Sequence, residues 1–143
     1  MTLAIILAAG IGKRLRPLTN NIPKILLDLD GNVLMDITIC NLLNVGINNI
    51  MIVVGHASKR VIERANALRG RQPTLNFTFI ENKFYDQTNT GFSLLLALNE
   101  IVRRDINDDL IVINGDVLFD IRILLKLVSA CLLYTSPSPR DRG

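Results

Sequence analysis

The chain is poor in the side chains that build metal cages, disulfide frameworks and proton relays: its 143 residues hold two cysteines, one histidine and no tryptophan. Cys40 falls in a helical pattern and Cys131 in the tail, so neither a disulfide framework nor a Cys/His metal site is expected. His56, directly after an apolar run ending at Gly55, reads as a loop residue near a site rather than a catalyst. At 5% aromatic content there is little surface for stacking single-stranded nucleic acid. The net charge is only +3 and no basic run extends beyond one early loop, so that loop's cations read as local to a phosphate site. No apolar run reaches the length of about 20 residues that spans a bilayer. The opening MTLAIILAAG lacks the charged leader of a signal peptide. These absences predict a cytoplasmic protein with no nucleic-acid and no membrane partner, and no pattern specifies an oligomeric state.

What is present is an alternation of buried strands and amphipathic helices. Residues 3–9 are continuously apolar, which suits a strand covered on both faces of a parallel sheet. A helix is expected over residues 34–45, stopped by Gly46, then a strand at 50–54 and a helix at 59–68 with Val61, Ile62, Ala65 and Leu68 on one face. A strand at 75–80, a helix at about 91–103, a strand at 110–114 and a short helix from Ile121 complete the set. Strand and helix in alternation imply parallel βαβ units. The fold class is therefore α/β, a doubly wound, mostly parallel sheet with helices on both faces, and at 49% hydrophobic the chain supports one core.

The loop after the first strand concentrates the chemistry. Gly10 and Gly12 let backbone N–H groups approach an anion closely. Lys13, Arg14 and Arg16 then add charge, with Arg the better bidentate partner for phosphate oxygens. The loop follows a strand's carboxyl end, where ligands collect in open α/β sheets. Two commoner phosphate motifs are excluded. A Walker loop would need glycine at Leu7 and Ser or Thr at Arg14, and the Rossmann fingerprint would need its third glycine at Leu15.

Residues 10–24 instead resemble the signature of the nucleotidyltransferases that make nucleotide-activated sugars and alcohols, G-x-G-x-R-L-x-P-x-T-x-x-x-P-K. Gly10, Gly12, Arg14, Leu15, Pro17, Thr19, Pro23 and Lys24 fill every fixed position. A second landmark is the apolar run at 110–114 ending in Gly115-Asp116, where the family carries its magnesium aspartate; Mg²⁺ favours one or two carboxylates completed by phosphate oxygens and water. A third is the T-N-x-x-x-S-L segment of the phosphocholine cytidylyltransferase-like branch, here Thr88, Asn89, Ser93 and Leu94, with Thr90 where many sequences of that branch have a second Asn. Asn89 or Thr90 could cap the following helix, whose free N–H groups could face a nucleotide.

The resemblance implies transfer of a nucleoside monophosphate from an NTP to a phosphorylated small-molecule acceptor, phosphocholine-like ahead of a sugar 1-phosphate, with release of pyrophosphate. The attacking phosphate is already an anion, so no general base is required. By resemblance the catalytic residues are Arg14, on the β/γ-phosphates, Lys24, on the α-phosphate or the acceptor's phosphate, and Asp116, the ligand of Mg²⁺. Leu7, Ala8, Ala9, Gly10, Gly12, Lys13 and Asn89 would bind the nucleotide, with the backbone of 7–9 toward base and ribose. Asp28-Leu29-Asp30 could be mistaken for a glycosyltransferase metal motif, but Gly31-Asn32 marks it as strand end and turn. The rival reading is a non-catalytic nucleotide-binding regulatory module of the same fold; retention of Arg14, Lys24 and Asp116 favours catalysis.

Residues 131–141, CLLYTSPSPRD, resemble the translation of a transposon-end sequencing adapter. Residues 131–143 are accordingly expected to be non-native, and 1–130 to be the amino-terminal part of one nucleotidyltransferase domain. The isolated chain is expected to be nearly inactive and to expose a sheet edge.

Overall fold

A computed structural model of the chain describes residues 2–10 and 22–115. Gly12, Lys13, Arg14, Asp116, the helix expected from Ile121 and the tail 131–143 lie outside the described residues.

Four parallel strands make the sheet: β1 (Thr2–Leu7), β4 (Asn49–Val54), β5 (Asn76–Glu81) and β6 (Asp109–Asn114), in the order β5-β4-β1-β6. A short antiparallel hairpin, β2 (Asp28–Leu29) and β3 (Asn32–Val33), precedes the first helix. The helices are α1 (Leu34–Asn44), α2 (Ser58–Arg71) and α3 (Thr90–Arg103). Side chains alternate across the central strand. Ala4 and Ile6 pack with Met35, Ile39 and Leu42 of α1 and Val61 and Ala65 of α2. Leu3, Ile5 and Leu7 pack on the opposite face with Ala97 and Ile101 of α3. Both faces being covered explains why β1 and β4 read as unbroken apolar runs.

The chain ends its elements by local chemistry. Gly46, at φ 83°, closes α1 in a Schellman arrangement, with Gly46 N–H donating to Leu43 O and Ile47 N–H to Leu42 O. Asp30 (φ 52°) and Gly31 (φ 86°) form the two-residue turn of the hairpin, and the Gly31 N–H donates to Asp28 Oδ1 at 2.7 Å. The D-x-D sequence is thus strand end and turn, its first carboxylate engaged with its own backbone.

Two boundaries differ from the sequence reading by more than one residue. The first strand stops at Leu7, leaving Ala8 and Ala9 in the following loop, because its ladder with β6 ends at the Leu7–Asn114 pair. Helix α2 runs one turn past Leu68, through Gly70 to Arg71.

The strand order carries the main consequence for function. From β1 the chain proceeds outward to β4 and β5, then returns to lay β6 on the other side of β1. The direction of winding reverses between β1 and β6, so a crevice opens beyond their carboxyl ends.

Candidate functional site

Backbone hydrogen bonds fasten three strand ends together at that crevice. Gly115 N–H donates to Leu7 O at 2.9 Å, Ala8 N–H to Val53 O at 2.9 Å, and His56 N–H to Ala9 O at 3.2 Å. Glycine permits both close approaches. A Cβ at Gly115 would stand 3.0 Å from Leu7 O, and one at Gly55 would stand 2.7 Å from Tyr85 Cβ and 3.0 Å from Ala9. Residues 7–10 therefore run between the turns that follow β4 and β6.

Two adjoining cavities line this edge. The larger, about 350 Å³, is walled by Leu7, Ala9 and Gly10 on one side and by the segment from Asn82 to Ser93 on the other. The smaller, about 80 Å³, lies between Leu7, Ala8, Gly10, Lys24, Thr90, Asn114 and Gly115. Leu7, Gly10 and Thr90 border both, which makes one cleft with Lys24 at its narrow end and Asp86 at its wide end. Lys24 opens a 3-10 turn, Lys24–Leu26, whose Ile25 is buried in the core and holds the lysine at the crevice.

Of the residues singled out in the sequence, Leu7, Ala8, Ala9, Gly10, Lys24 and Asn89 meet at this cleft. Asn89 is the N-cap of α3, its Oδ1 accepting from Phe92 N–H at 3.2 Å. That identifies Asn89 rather than Thr90 as the cap, and Thr90, the first residue of the helix, borders both cavities. Thr88 and Ser93, the other polar positions of the motif, both accept from the Asn82 side-chain amide, at 3.0 and 3.1 Å. His56 lies in the loop after β4, its ring 5.9 Å from that of Tyr85, which lines the wide cavity.

Asn82, Tyr85, Asp86 and Gly55 were not apparent in the sequence. Gly55 and Tyr85 meet across thirty positions of sequence, and Asn82 is anchored to Val54 of β4; the local signal was a polar Asn directly after a strand. Among the described residues no three His, Cys, Asp or Glu side chains gather as a metal cage.

Comparison with known proteins agrees with the geometry. The family model described as nucleotidyl transferase matches residues 3–130. The chain is 35% identical to the bifunctional protein GlmU of Methanococcus aeolicus over 120 residues, 82% of this chain and 25% of that protein. It is 33% identical to the choline-phosphate cytidylyltransferase of Haemophilus influenzae over 132 residues, 92% of this chain and 51% of that protein. The solved CTP:phosphocholine cytidylyltransferase of Streptococcus pneumoniae superimposes with a TM-score of 0.65 at 35% identity, over 83% of this chain and 47% of that one. The chain thus spans about half, or less, of the relatives it matches.

Proposed function

Since the chain belongs to the nucleotidyl transferase family, we propose that its gene product transfers a nucleoside monophosphate from an NTP to a phosphorylated small molecule, with a phosphocholine-like acceptor ahead of a sugar 1-phosphate. The observation that carries this reading is the 2.9 Å bond from Gly115 N–H to Leu7 O. It joins the strand end that leads into Arg14 to the strand end that leads into Asp116, at the reversal of winding where nucleotides bind in such sheets.

The reaction asks little covalent chemistry of the protein. An oxygen of the acceptor's phosphate attacks the α-phosphorus, a new P–O bond forms, the bond to the β-phosphate bridging oxygen breaks, and pyrophosphate departs with the electron pair. Alignment and charge neutralisation supply the acceleration. Lys24 stands at the narrow end of the cleft, and Arg14 and Asp116 follow from the loops that border it, so the phosphates belong at that end. The Asp86 carboxylate at the wide end repels phosphate and suits the hydroxyls and amines of ribose and base. Backbone atoms of residues 7–10 and the α3 N-terminus beyond Asn89 flank the nucleotide, with Gly12 and Lys13 continuing the anion-binding loop. Asp116 would hold Mg²⁺, which when bound offsets negative charge on the phosphate oxygens.

The preference for a phosphocholine-like acceptor is supported by the Thr88-Asn89 and Ser93-Leu94 segment and by 33% identity to a choline-phosphate cytidylyltransferase. The test is pyrophosphate release by the full-length gene product, assayed with each of the four common triphosphates against phosphocholine and a set of sugar 1-phosphates. Release that depends on both substrates is expected. No release with any pair would overturn the reading, and release with sugar 1-phosphates alone would overturn the acceptor preference.

A further inference from the structure

Asn82, the residue after β5, is 1% exposed and its side-chain amide makes three hydrogen bonds. Its Nδ2 donates to Thr88 Oγ1 at 3.0 Å and to Ser93 Oγ at 3.1 Å, while Oδ1 accepts from Phe84 N–H at 2.9 Å. The Asn82 backbone N–H donates to Val54 O at 2.7 Å, which anchors this hub to the central sheet. Thr88 Oγ1 passes its own proton to Phe84 O at 2.8 Å. A single planar amide therefore ties together the beginning of the 83–89 segment, its end and the first turn of α3. The work requires two donors and an acceptor on one short head. Aspartate of the same shape has no donor, and alanine has neither.

We propose that Asn82 is a positioning residue that fixes the cleft wall formed by Tyr85, Asn89 and Thr90, and through that wall sets which nucleoside triphosphate is preferred. The inference rests on the nucleotidyl transfer reading. The wall has no helix or strand between β5 and α3; besides the turn bond from Gln87 N–H to Phe84 O, its shape depends on side-chain bonds, and Asn82 makes three of them. Discrimination between bases needs polar groups and surfaces held to within about 0.5 Å. Thr88 and Ser93 spend an acceptor site each on Asn82, which identifies them as parts of the clamp.

The test compares Asn82→Ala and Ser93→Ala with the unmodified full-length gene product. It measures kcat and KM for CTP, UTP, GTP and ATP, and amide hydrogen exchange over residues 84–92. In Asn82→Ala the KM for the preferred triphosphate is expected to rise about tenfold with kcat nearly unchanged, and the preference ratio to shrink by a similar factor. The Phe84 amide should lose protection while β1 and β4 amides keep theirs. A smaller fraction of folded enzyme would leave both KM and the preference ratio untouched, so these separate positioning from loss of fold. An unchanged ratio, or unchanged exchange at Phe84, would overturn the proposal. If Asn82→Ala does not fold, Ser93→Ala should give the same narrowing in smaller measure, and a full preference ratio there would equally overturn it. If the unmodified protein turns over no triphosphate, the functional reading fails, and the exchange data still judge the clamp.

Discussion

Among the described glycines, Gly55 is the one at which packing is least forgiving. A methyl group there would meet Tyr85 Cβ at 2.7 Å and Ala9 at 3.0 Å, both held by the backbone rather than by a flexible side chain. Gly55→Ala is expected to destabilise the fold by about 1–3 kcal/mol in urea unfolding, the usual cost of overpacking, and to weaken triphosphate binding because Ala9 and Tyr85 line the cleft. Unaltered stability would mean that the contact relaxes freely. Asn89 offers a gentler test. Asn89→Ala removes the cap and should cost about 1 kcal/mol, most of it recovered in Asn89→Ser. The cap was legible in the sequence because its partner is three residues away. Gly55 and Asn82 were not, because the atoms that give them meaning come from other elements, and an amino-acid string carries no record of which distant Cβ stands 2.7 Å away.

Helix α3 joins the site to the rest of the sheet, and its far end carries a charge cluster. Glu100 pairs with Arg103, whose Nε donates to Glu100 Oε1 at 3.0 Å, and with Arg104. Hydrogen bonds from Arg103 and then Arg104 hold the Glu100 carboxyl at about 2, below its ordinary 4.5. A depressed folded-state value means a contribution to stability that is complete above 4.5 and is lost as pH falls from 4.5 towards 2. The group is exposed, so salt screens the effect. In a carbon-detected titration at low salt, Glu100 should show a midpoint well below that of an unpaired glutamate, rising towards 4.5 in the Arg103→Ala, Arg104→Ala double variant. A midpoint that ignores both substitutions would dissociate the shift from these partners.

Helices α1 and α2 are tied by a bidentate contact of Arg64 with Asp36, Nε donating to Oδ1 at 2.8 Å and NH2 to Oδ2. The hydrogen bond to Asp36 raises the Arg64 pKa further above its usual value. Both side chains are partly exposed, so Asp36→Asn should lower stability by up to about 1 kcal/mol. Element identities were legible because apolar periodicity differs between a doubly covered strand and a one-faced helix. The end of β1 was not, since the apolar run continues through Ala8 and Ala9 while the ladders with β4 and β6 both end at Leu7.

For the molecule as a whole, strand and helix in alternation made a parallel sheet legible, but the order β5-β4-β1-β6 is a property of the assembled chain. Nothing in the apolar runs says that β6 returns past β1. That return lays Asn114 beside Leu7 and brings Gly115 against Leu7 O. Gly10 and Gly115, the residues that lead into the two motifs and stand about a hundred positions apart in sequence, thereby border one crevice, with Lys24 beside them. Arg14→Ala and Asp116→Ala should each lower kcat/KM about a hundredfold or more, since each removes charge stabilisation made in the transition state. Unchanged turnover in both would remove them from the site.

The convergence itself is most directly measured by paramagnetic broadening from manganese carried by the bound triphosphate, read at the amides of Gly10 and Gly115 in the full-length gene product. Strong broadening at both glycines, abolished by Asp116→Ala, is the expected result. Broadening at one glycine alone, or at neither while the nucleotide is bound, would contradict a single metal-bound nucleotide shared by the two strand ends.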